Sequence, residues 1–357
     1  MNTYMITSGY NACCYVRMFL PAFQEGFRLN KTSVNGKIDD RKKMQENIAA
    51  ADVVVFHRPE EPEYLPLAKI LKQEGKIVVM DNDDTFKIED HYPLAGLDPH
   101  GVSIVLENRD KAITEFMKIA DVVTASTEFL AKEYREASDN VVVLPNCIDP
   151  LDWPKTKRNG NNKVRIGMVG SVAYEYDYLH MKDILIRLSE REDVQLVLFG
   201  LGDKKHREEN PNVTKAFSHE YKFWDSIDIE QVPWCPIETY PETLNNTELD
   251  MMLIPRKDNY FNRCKSNVKF LEAAMCEIPV IAQSFTDAPY EELTPDMGFL
   301  VKDNDKWEQA IEILIKDKDL RRSMGKKSKE YVLKNFNIES RSHEWFGTYK
   351  KAYEKRN

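Results

Sequence analysis

Short apolar runs alternate with longer amphipathic stretches along almost the whole chain. Apolar runs that predict strands occupy the first half at 4–7, 52–57, 77–81, 122–125 and 141–144. Stretches with helical periodicity separate them, at 12–26, 61–73, 104–119 and 127–136. Because strands that alternate with helices tend to pair in parallel, this pattern predicts a parallel sheet covered by helices.

A polar segment at 155–163 interrupts the alternation. It has no apolar side chain but contains Gly160 and several Asn residues, so it predicts a linker. A second series of strands follows, at 164–169, 195–199, 249–254, 279–282 and 298–301, and the residues beyond are helical in composition. We therefore expect an α/β protein of two Rossmann-like doubly wound domains, 1–150 and 164–335, joined by a linker at 151–163. A ligand site is expected in the cleft between them.

Composition places the chain among ordered globular proteins, since 42% of its 357 residues are hydrophobic and 31% are charged. Its longest apolar runs are too short to span a bilayer, and its N-terminus lacks the basic start of a signal peptide. The cysteines, at 13, 14, 147, 235, 264 and 276, form no C-x-x-C pair. This spacing favours reduced thiols in a cytoplasmic protein over a zinc site or a disulfide framework.

Net charge bears on possible partners. A formal charge of −9 argues against broad contact with nucleic acid. Two basic patches, Lys31 to Lys43 and Lys350 to Arg356, read as solvated helix faces, and the sharper alternative is a peripheral contact with the inner face of a membrane.

The segment from Ile254 to Met275 concentrates positive charge at a predicted helix start. Ser266 is a suitable N-cap for a helix that runs on to Cys276. Lys265 precedes this cap, Lys269 lies in the first turn, and Arg263 is close by. Cations are disfavoured there because a helix N-terminus carries partial positive charge. A bound phosphate would make the positions of these cations favourable.

Glu272 lies three residues after Lys269 and seven after Lys265, on roughly the same side of that helix. A carboxylate one to two turns from a phosphate site can accept hydrogen bonds from both hydroxyls of a ribose. The alternative is an ordinary surface helix with a Lys–Glu pair at i, i+3.

The block Phe-Asn-x-x-Lys-Ser-x-x-Lys-x-Leu-Glu-Ala-Ala-x-x-x-x-Pro-Val-Ile-Ala at 261–282 resembles the donor-site block of GT-B glycosyltransferases related to the family-4 type, the glycosyl transferases group 1. Residues 120–127, 144–149 and 164–171 resemble other segments of these enzymes in the expected order. The helical tail, about 336–357, resembles the helix that crosses back onto the N-terminal domain. The resemblance thus covers most of the chain.

This resemblance implies roles for individual residues on the donor side. Glu272 would bind the donor ribose, and Lys265 and Lys269 the diphosphate. Further donor contacts would come from Arg263, Ser266, the Gly170–Ser171 turn and the base-contacting loop with Trp234, Cys235 and Ile237. Many relatives carry Glu-x7-Glu, but the first of these positions is Cys264 here, so the identity of the sugar stays open.

The N-terminal domain is expected to hold the acceptor. Gly9, Tyr10 and Asn11 follow the first strand, where a glycine turn can admit a substrate or simply reverse the chain. Arg17, in the next helix, is expected either to reach the cleft or to be solvated.

Polar residues end two neighbouring strands, His57 after one and Asp81, Asp83 and Asp84 after the other. Carboxyl ends of parallel strands are where ligands bind in open α/β sheets. These aspartates are interpreted as turn or capping residues, or as acceptor-side groups, rather than as metal ligands. If the enzyme inverts configuration, Asp83, Asp84 or His57 would be its base; if it retains configuration, as family-4 relatives do, the leaving phosphate takes the acceptor proton.

The expected activity is transfer of a sugar from a nucleoside-diphosphate donor, UDP being the expected nucleotide, to a hydroxyl of a glycan, a lipid-linked acceptor or another glycoconjugate. No metal and no further cofactor is expected. A glycosyltransferase acting on modified DNA and a non-catalytic nucleotide-sugar-binding relative are the alternatives. A dinucleotide-dependent oxidoreductase is disfavoured because no complete G-x-G-x-x-G follows a strand.

Overall fold

A computed structural model of the chain describes residues 1–7, 9–30, 41–61, 63–85, 87, 99–158, 160, 162–170, 175–200, 204–209, 211–216, 218–286 and 289–356. Its strands form two separate parallel sheets, one in each half of the chain. We call the unit built on the first sheet the first domain and the unit built on the second sheet the second domain. The predicted α/β architecture of two doubly wound domains is confirmed.

The first sheet has six described strands in the order β2-β1-β3-β4-β5-β6. They are β1 Thr3–Ile6, β2 Arg28–Leu29, β3 Val53–His57, β4 Ile77–Asn82, β5 Val122–Ala125 and β6 Val141–Val143. Strands β1, β3, β4 and β5 are buried along their whole length, as their nearly continuous apolar sequences require. In the register, His57 lies beside Asp81, and Asp81 lies beside Thr124.

The second sheet has six described strands in the order β12-β11-β10-β7-β8-β9. They are β7 Val164–Val169, β8 Val194–Phe199, β9 Ile229–Val232, β10 Met251–Ile254, β11 Val280–Gln283 and β12 Gly298–Val301. Residues that follow β10 contact the first domain, since the Tyr260 hydroxyl donates to Glu133 Oε2 at 2.7 Å.

Helices cover both sheets. In chain order they are α1 Ala12–Cys14, a π-helix Tyr15–Phe19, α2 Leu20–Glu25, α3 Arg41–Ala49, α4 Tyr64–Gln73, α5 Pro99–Ile119, α6 Glu128–Tyr134, a 3-10 turn Pro150–Asp152, α7 Glu175–Leu179, α8 Lys182–Ser189, α9 Lys204–Glu209, α10 Pro211–Ala216, α11 Ser218–Trp224, α12 Tyr240–Asn246, α13 Tyr260–Arg263, α14 Val268–Met275, α15 Asn304–Lys316, α16 Lys318–Asn335, α17 Ile338–Arg341 and α18 His343–Arg356. Among the residues described, no helix is both long enough and apolar enough to cross a membrane.

The C-terminal helix returns to the first domain. Trp345 and Tyr349 of α18 are fully buried in an apolar cluster with Met5 and Val55 of the first sheet. Ahead of this helix, Asn337 forms a β-bridge with Ile148. The C-terminal helix, which follows the second domain in the chain, therefore completes the core of the first domain.

Local structure departs from the sequence prediction in a few places. The helix expected over 12–26 is divided by the π-helix Tyr15–Phe19 and ends at Gly26, whose φ of 68° is the left-handed conformation that glycine adopts easily. Strands β2 and β9 were not predicted. β2 is only two residues long, and β9 is a half-exposed edge strand with polar Glu230 and Gln231, so neither has a strong apolar pattern.

Candidate active site

Glu272 and Lys269 share one face of α14 in the second domain. Lys269 Nζ lies 2.9 Å from Glu272 Oε2, and the Tyr240 hydroxyl donates to the same oxygen at 2.8 Å. Oε1 accepts no hydrogen bond from the described residues. Tyr240 is itself held by stacking on Phe199, with ring centroids 5.4 Å apart. The carboxylate is therefore fixed through one oxygen, while the other is left to accept a bond from a ligand.

Lys265 lies just before α14 and reaches across the cleft. Its Nζ is 2.5 Å from Asp84 Oδ2 of the first domain and 3.8 Å from the centroid of the Phe261 ring. Both partners of the ion pair are largely buried, with 14% and 16% of their side chains exposed. An ion pair in such a site is weakly screened by solvent, so it helps to hold the two domains together.

Ser266 has a different role from the predicted one. Helix α14 begins at Val268 and follows Asn267, whose side chain makes no capping bond, so the expectation that Ser266 caps this helix is wrong. Asn146 Nδ2 of the first domain donates to Ser266 Oγ at 2.8 Å, and Asn146 Oδ1 accepts from Arg17 Nη1 at 3.1 Å. Ser266 thus belongs to a second polar contact between the domains.

Arg17 neither projects into the cleft nor is solvated, contrary to both expectations. Its guanidinium is completely buried and binds Asp81 through Nε at 3.1 Å and Nη2 at 2.5 Å. Asp81 also accepts from the Thr124 hydroxyl at 2.6 Å, and Trp345 covers the guanidinium at 5.8 Å. A buried ion pair needs such additional bonds to offset its desolvation. Arg17 and Asp81 therefore stabilise the floor of the cleft.

Asp83, just after β4, lies beside two basic side chains. Arg58 Nη2 lies 2.7 Å from Asp83 Oδ1, and His57 Nε2 lies 3.5 Å from the same oxygen, a distance typical of an ion pair rather than of a well-formed hydrogen bond. Although burial acts in the opposite direction, Arg58 and His57 hold the pKa of Asp83 well below its usual range. Arg58 has a φ of 48°, which is unusual for a residue with a side chain and fits a strained functional turn.

His57 is the other titratable group of this cluster. Its Nδ1 lies 3.3 Å from the Cys14 sulfur, and its ring is buried. Although burial opposes protonation, the contacts with Asp83 and Cys14 raise the pKa of His57 to about 9. This raised pKa favours the protonated ring at neutral pH, which disfavours His57 as a base that accepts a proton.

The residues after β1 lie beside the segment that connects the domains. Asn11 caps α1 by accepting from Cys14 N at 3.0 Å, and Tyr10 packs edge-on against Phe19 at 4.9 Å. Burial, followed by the charges of Glu238 and Asp152, raises the pKa of the Tyr10 hydroxyl. Gly9 and Tyr10 are partly exposed. The expected acceptor-side turn is therefore held in place by the Asn11 cap and by the packing of Tyr10 on Phe19.

The loop with Trp234, Cys235 and Ile237 is the predicted base-contacting loop. Trp234 is 63% exposed, while Cys235 and Ile237 are half-buried. An exposed indole next to a cleft offers a flat apolar face on which a nucleobase or a sugar can stack.

The remaining donor-side candidates are less closely gathered. Gly170 follows β7, and its carbonyl oxygen lies so near Gly200 that a side chain there would approach it to 2.6 Å. Ser171 lies outside the described residues. Arg263 pairs with Asp258, Nε to Oδ1, at 2.5 Å, so its charge is directed to the surface of α13.

Cys264 occupies the position where many relatives carry a glutamate. Its side chain is fully buried in the apolar cluster of the first domain that includes Phe56, Met80 and Tyr134. Burial, with nearby Glu133 and Asp84, raises the pKa of the Cys264 thiol. This position is therefore part of the packing between the domains.

Sequence reasoning missed several residues of this site. Tyr240 carries no motif, and only its place at the start of α12 brings it to Glu272. Asn146 lies in the segment 144–149, which resembles a segment of known glycosyltransferases, and Arg58 directly follows the end of β3. These positions could have indicated that both residues belong to the site. Within the described ranges, no group of three or more His, Cys, Asp or Glu side chains is arranged to hold a metal ion.

The chain was compared with known proteins. Residues 182–347 match the glycosyl transferase-like family, and no curated protein matches the chain in sequence. Sucrose-phosphate synthase from Thermosynechococcus elongatus is 14% identical, with 99% of this chain and 100% of that chain covered and a TM-score of 0.68. HepE from Anabaena in complex with UDP is 12% identical, with 98% and 100% covered and a TM-score of 0.62. An α-glucosyltransferase in complex with UDP-glucose and DNA containing an abasic site is 13% identical, with 98% and 99% covered and a TM-score of 0.66.

The solved structures match this chain over nearly its whole length, which establishes the two-domain GT-B fold. The family match spans most of the second domain and includes α14 with Lys269 and Glu272. The predicted resemblance to glycosyltransferases is thereby confirmed: residues 182–347 match the glycosyl transferase-like family, and the chain has the fold of solved glycosyltransferase structures.

Proposed function

We propose that the protein transfers a sugar from a UDP-sugar to a hydroxyl of a glycan, a lipid-linked acceptor or another glycoconjugate, with retention of configuration. The observation that carries this proposal is the arrangement on α14 and the segment before it. There Glu272 keeps one open carboxylate oxygen, and Lys265 and Lys269 supply two cations near one helix start.

In this proposal the two hydroxyls of the ribose donate to Glu272 Oε1. Lys265, Lys269 and the N–H groups at the start of α14 bind the diphosphate. As the glycosidic bond breaks, negative charge grows on the leaving diphosphate, and preorganised cations stabilise it more in the transition state than in the ground state.

UDP is proposed as the nucleotide on two grounds. The HepE structure contains UDP and the α-glucosyltransferase structure contains UDP-glucose, according to their descriptions. In this chain, Trp234 offers an exposed aromatic face in the loop that the resemblance assigns to the base.

Retention is proposed because two of the candidate bases are already engaged. The raised pKa of His57 favours its protonated form, and Asp83 is held by Arg58 and His57. An inverting enzyme needs a free base at the acceptor hydroxyl. With these two groups engaged, an oxygen of the leaving phosphate accepts the acceptor proton on the same face of the sugar.

The test compares Lys265→Ala and Glu272→Ala with the wild type, measuring UDP affinity by calorimetry and turnover with UDP-, GDP- and TDP-sugars. We expect both variants to bind UDP about tenfold more weakly, since each loses a charge-assisted contact. Glu128→Gln, which removes an exposed carboxylate paired with Arg135, is the matched control. Unchanged UDP binding in both site variants would sink the donor-site assignment, and UDP binding without transfer or hydrolysis would indicate a non-catalytic relative.

A second candidate acceptor is modified DNA. The observation that favours it is the likeness to an α-glucosyltransferase whose structure contains DNA with an abasic site. The formal charge of −9 weighs against it. A gel shift with duplex DNA at increasing salt tests for DNA binding, because binding through phosphate contacts falls steeply with salt concentration.

A further inference from the structure

A small pocket lies at the surface of the second domain, away from the cleft. Asp250, which lines it, directly precedes β10, and Pro279 directly precedes β11. The cleft residue Gly170, in contrast, follows the carboxyl end of β7. The pocket therefore lies at the opposite edge of the sheet, and the proposed sugar transfer makes no use of it.

Positive charge dominates the lining of this pocket. Its charged residues are the cations Arg158, Lys318, Arg321 and Arg322 and the carboxylates Asp250 and Glu277. Two carboxylates against four cations leave a local excess of positive charge in a chain whose formal net charge is −9. This local positive charge is opposite in sign to the net charge of the chain, which suggests that it serves a purpose at this place.

The carboxylates are already engaged with two of the cations. Glu277 pairs with Arg158, and Asp250 Oδ1 lies 3.4 Å from Arg321 Nη2. Lys318 and Arg322 are exposed, and neither has a carboxylate within 4.0 Å among the described residues. These two cations can therefore turn toward an incoming anion without breaking an ion pair.

Arg321 provides a buried donor at the same place. Only 6% of the residue is exposed, and its Nη1 donates to the carbonyl oxygens of Leu314 and Ile315, the latter at 3.0 Å. Its Nε is buried and has no hydrogen-bond partner among the described residues. A buried N–H without an acceptor is unfavourable, so an acceptor at this position would stabilise the site.

The start of α16 adds to the positive charge of this pocket. Lys318, Arg321 and Arg322 lie in its first turns, where the positive end of an 18-residue helix disfavours cations. Asp317 caps this helix by accepting from Leu320 N at 2.8 Å, and Asp319 lies in the first turn but does not line the pocket. An anion in the pocket would relieve the repulsion among the three cations.

The pocket has rigid walls. A side chain at Gly325 of α16 would meet the carbonyl oxygen of Glu277 at 1.9 Å, so the helix can approach the end of α14 only because this residue is glycine. Glu277 itself has a φ of 55°. Close backbone packing on this side holds Arg321 in place, while Lys318 and Arg322 remain free to reorient.

We propose that this pocket binds the phosphate group of a small soluble ligand. Guanidinium groups suit this role because their planar donors match the oxygens of phosphate in pairs, and Lys318 adds a mobile point charge. Arg321 would bind at the base of the pocket, and Lys318 and Arg322 would close over the anion from its rim. The rest of the ligand would extend into solvent.

The test must separate this pocket from the cleft, whose lysines can also bind phosphate. Lys265→Ala/Lys269→Ala therefore serves as the background of the full-length chain, and inorganic phosphate is titrated by calorimetry. Adding Lys318→Gln/Arg322→Gln is expected to weaken phosphate binding at least about tenfold, since two charge-assisted contacts are lost. Adding Lys326→Gln/Lys334→Gln, which removes two exposed charges from the same helix outside the pocket, is expected to leave the affinity unchanged.

Two results with inorganic phosphate would overturn the proposal. One is equal phosphate affinity in the pocket variant and the Lys326/Lys334 variant, and the other is no saturable binding in the background variant. A parallel arm uses glucose 6-phosphate and vesicles containing phosphatidic acid. Binding of the sugar phosphate supports a small soluble ligand, whereas binding to vesicles alone would assign the cations to a lipid surface and refute the proposal.

Discussion

Lys265 Nζ of the second domain lies 2.5 Å from Asp84 Oδ2 of the first, so an ion pair joins the two sides of the cleft. In the proposed mechanism the same ammonium binds the donor diphosphate. Asp84 and the donor therefore compete for Lys265, and the pair holds the cleft in its present arrangement until a donor displaces the carboxylate.

The first prediction follows from this competition. Asp84→Asn is expected to bind UDP about three- to tenfold more tightly, because the diphosphate no longer has to displace a carboxylate from Lys265. Calorimetry with UDP measures the change. The exposed carboxylate variant Glu128→Gln should have no effect, and weaker UDP binding by Asp84→Asn would contradict the competition.

The ribose role of Glu272 can be tested with a modified ligand. Wild-type protein is expected to bind 2′,3′-dideoxy-UDP about tenfold or more weakly than UDP, since Oε1 loses its hydroxyl partners. Glu272→Ala should bind the two nucleotides almost equally. Tyr240→Phe keeps the carboxylate and should still discriminate between them. Discrimination that persists in Glu272→Ala would place the ribose elsewhere.

Replacing Cys264 by glutamate would recreate the pattern common among relatives, but the structure predicts a loss of stability. The new carboxylate would be buried in an apolar cluster beside Glu133 and Asp84. We expect the free energy of unfolding to fall by about 3 kcal/mol or more, measured by urea denaturation. Cys264→Ser is the smaller control. A Cys264→Glu variant as stable as the wild type would show that this position opens toward the cleft.

Stability should depend on pH through His57. Its pKa is raised to about 9 in the folded protein, so its contribution is fully present below the ordinary value of about 6.5 and is lost as pH rises through about 9. The loss between these limits is about 3 kcal/mol. Urea denaturation at about pH 6 to 10 should show that the free energy of unfolding declines more steeply with pH for the wild type than for His57→Asn. Parallel curves would mean that His57 is neutral in the fold.

The donor site illustrates how far the sequence reaches. Lys269 and Glu272 lie one turn apart on one short helix, so local periodicity was enough to predict that they would meet. The prediction for Ser266 failed because α14 begins further on, at Val268, and Ser266 instead accepts a hydrogen bond from Asn146, 120 residues away in sequence. A contact between residues so distant in sequence does not follow from a local capping preference.

The cluster at the ends of β3 and β4 shows the same division. That His57, Asp81, Asp83 and Asp84 lie at one edge of the sheet follows from parallel pairing, which the apolar runs already indicated. Which of them is buried with Arg17, which is held by Arg58 and which reaches Lys265 depends on side chains from other elements and from the second domain.

The sequence by itself determined the alternation of strands and helices, the two-domain α/β fold and the helix that carries Lys269 and Glu272, because these depend on contacts a few residues apart. Only the tertiary structure decided that Asp84 opposes Lys265, that Cys264 belongs to the core of the first domain and that the pocket beside Arg321 exists. Those features depend on residues distant in the chain, whose distances and burial arise only when the two sheets and their helices are packed together.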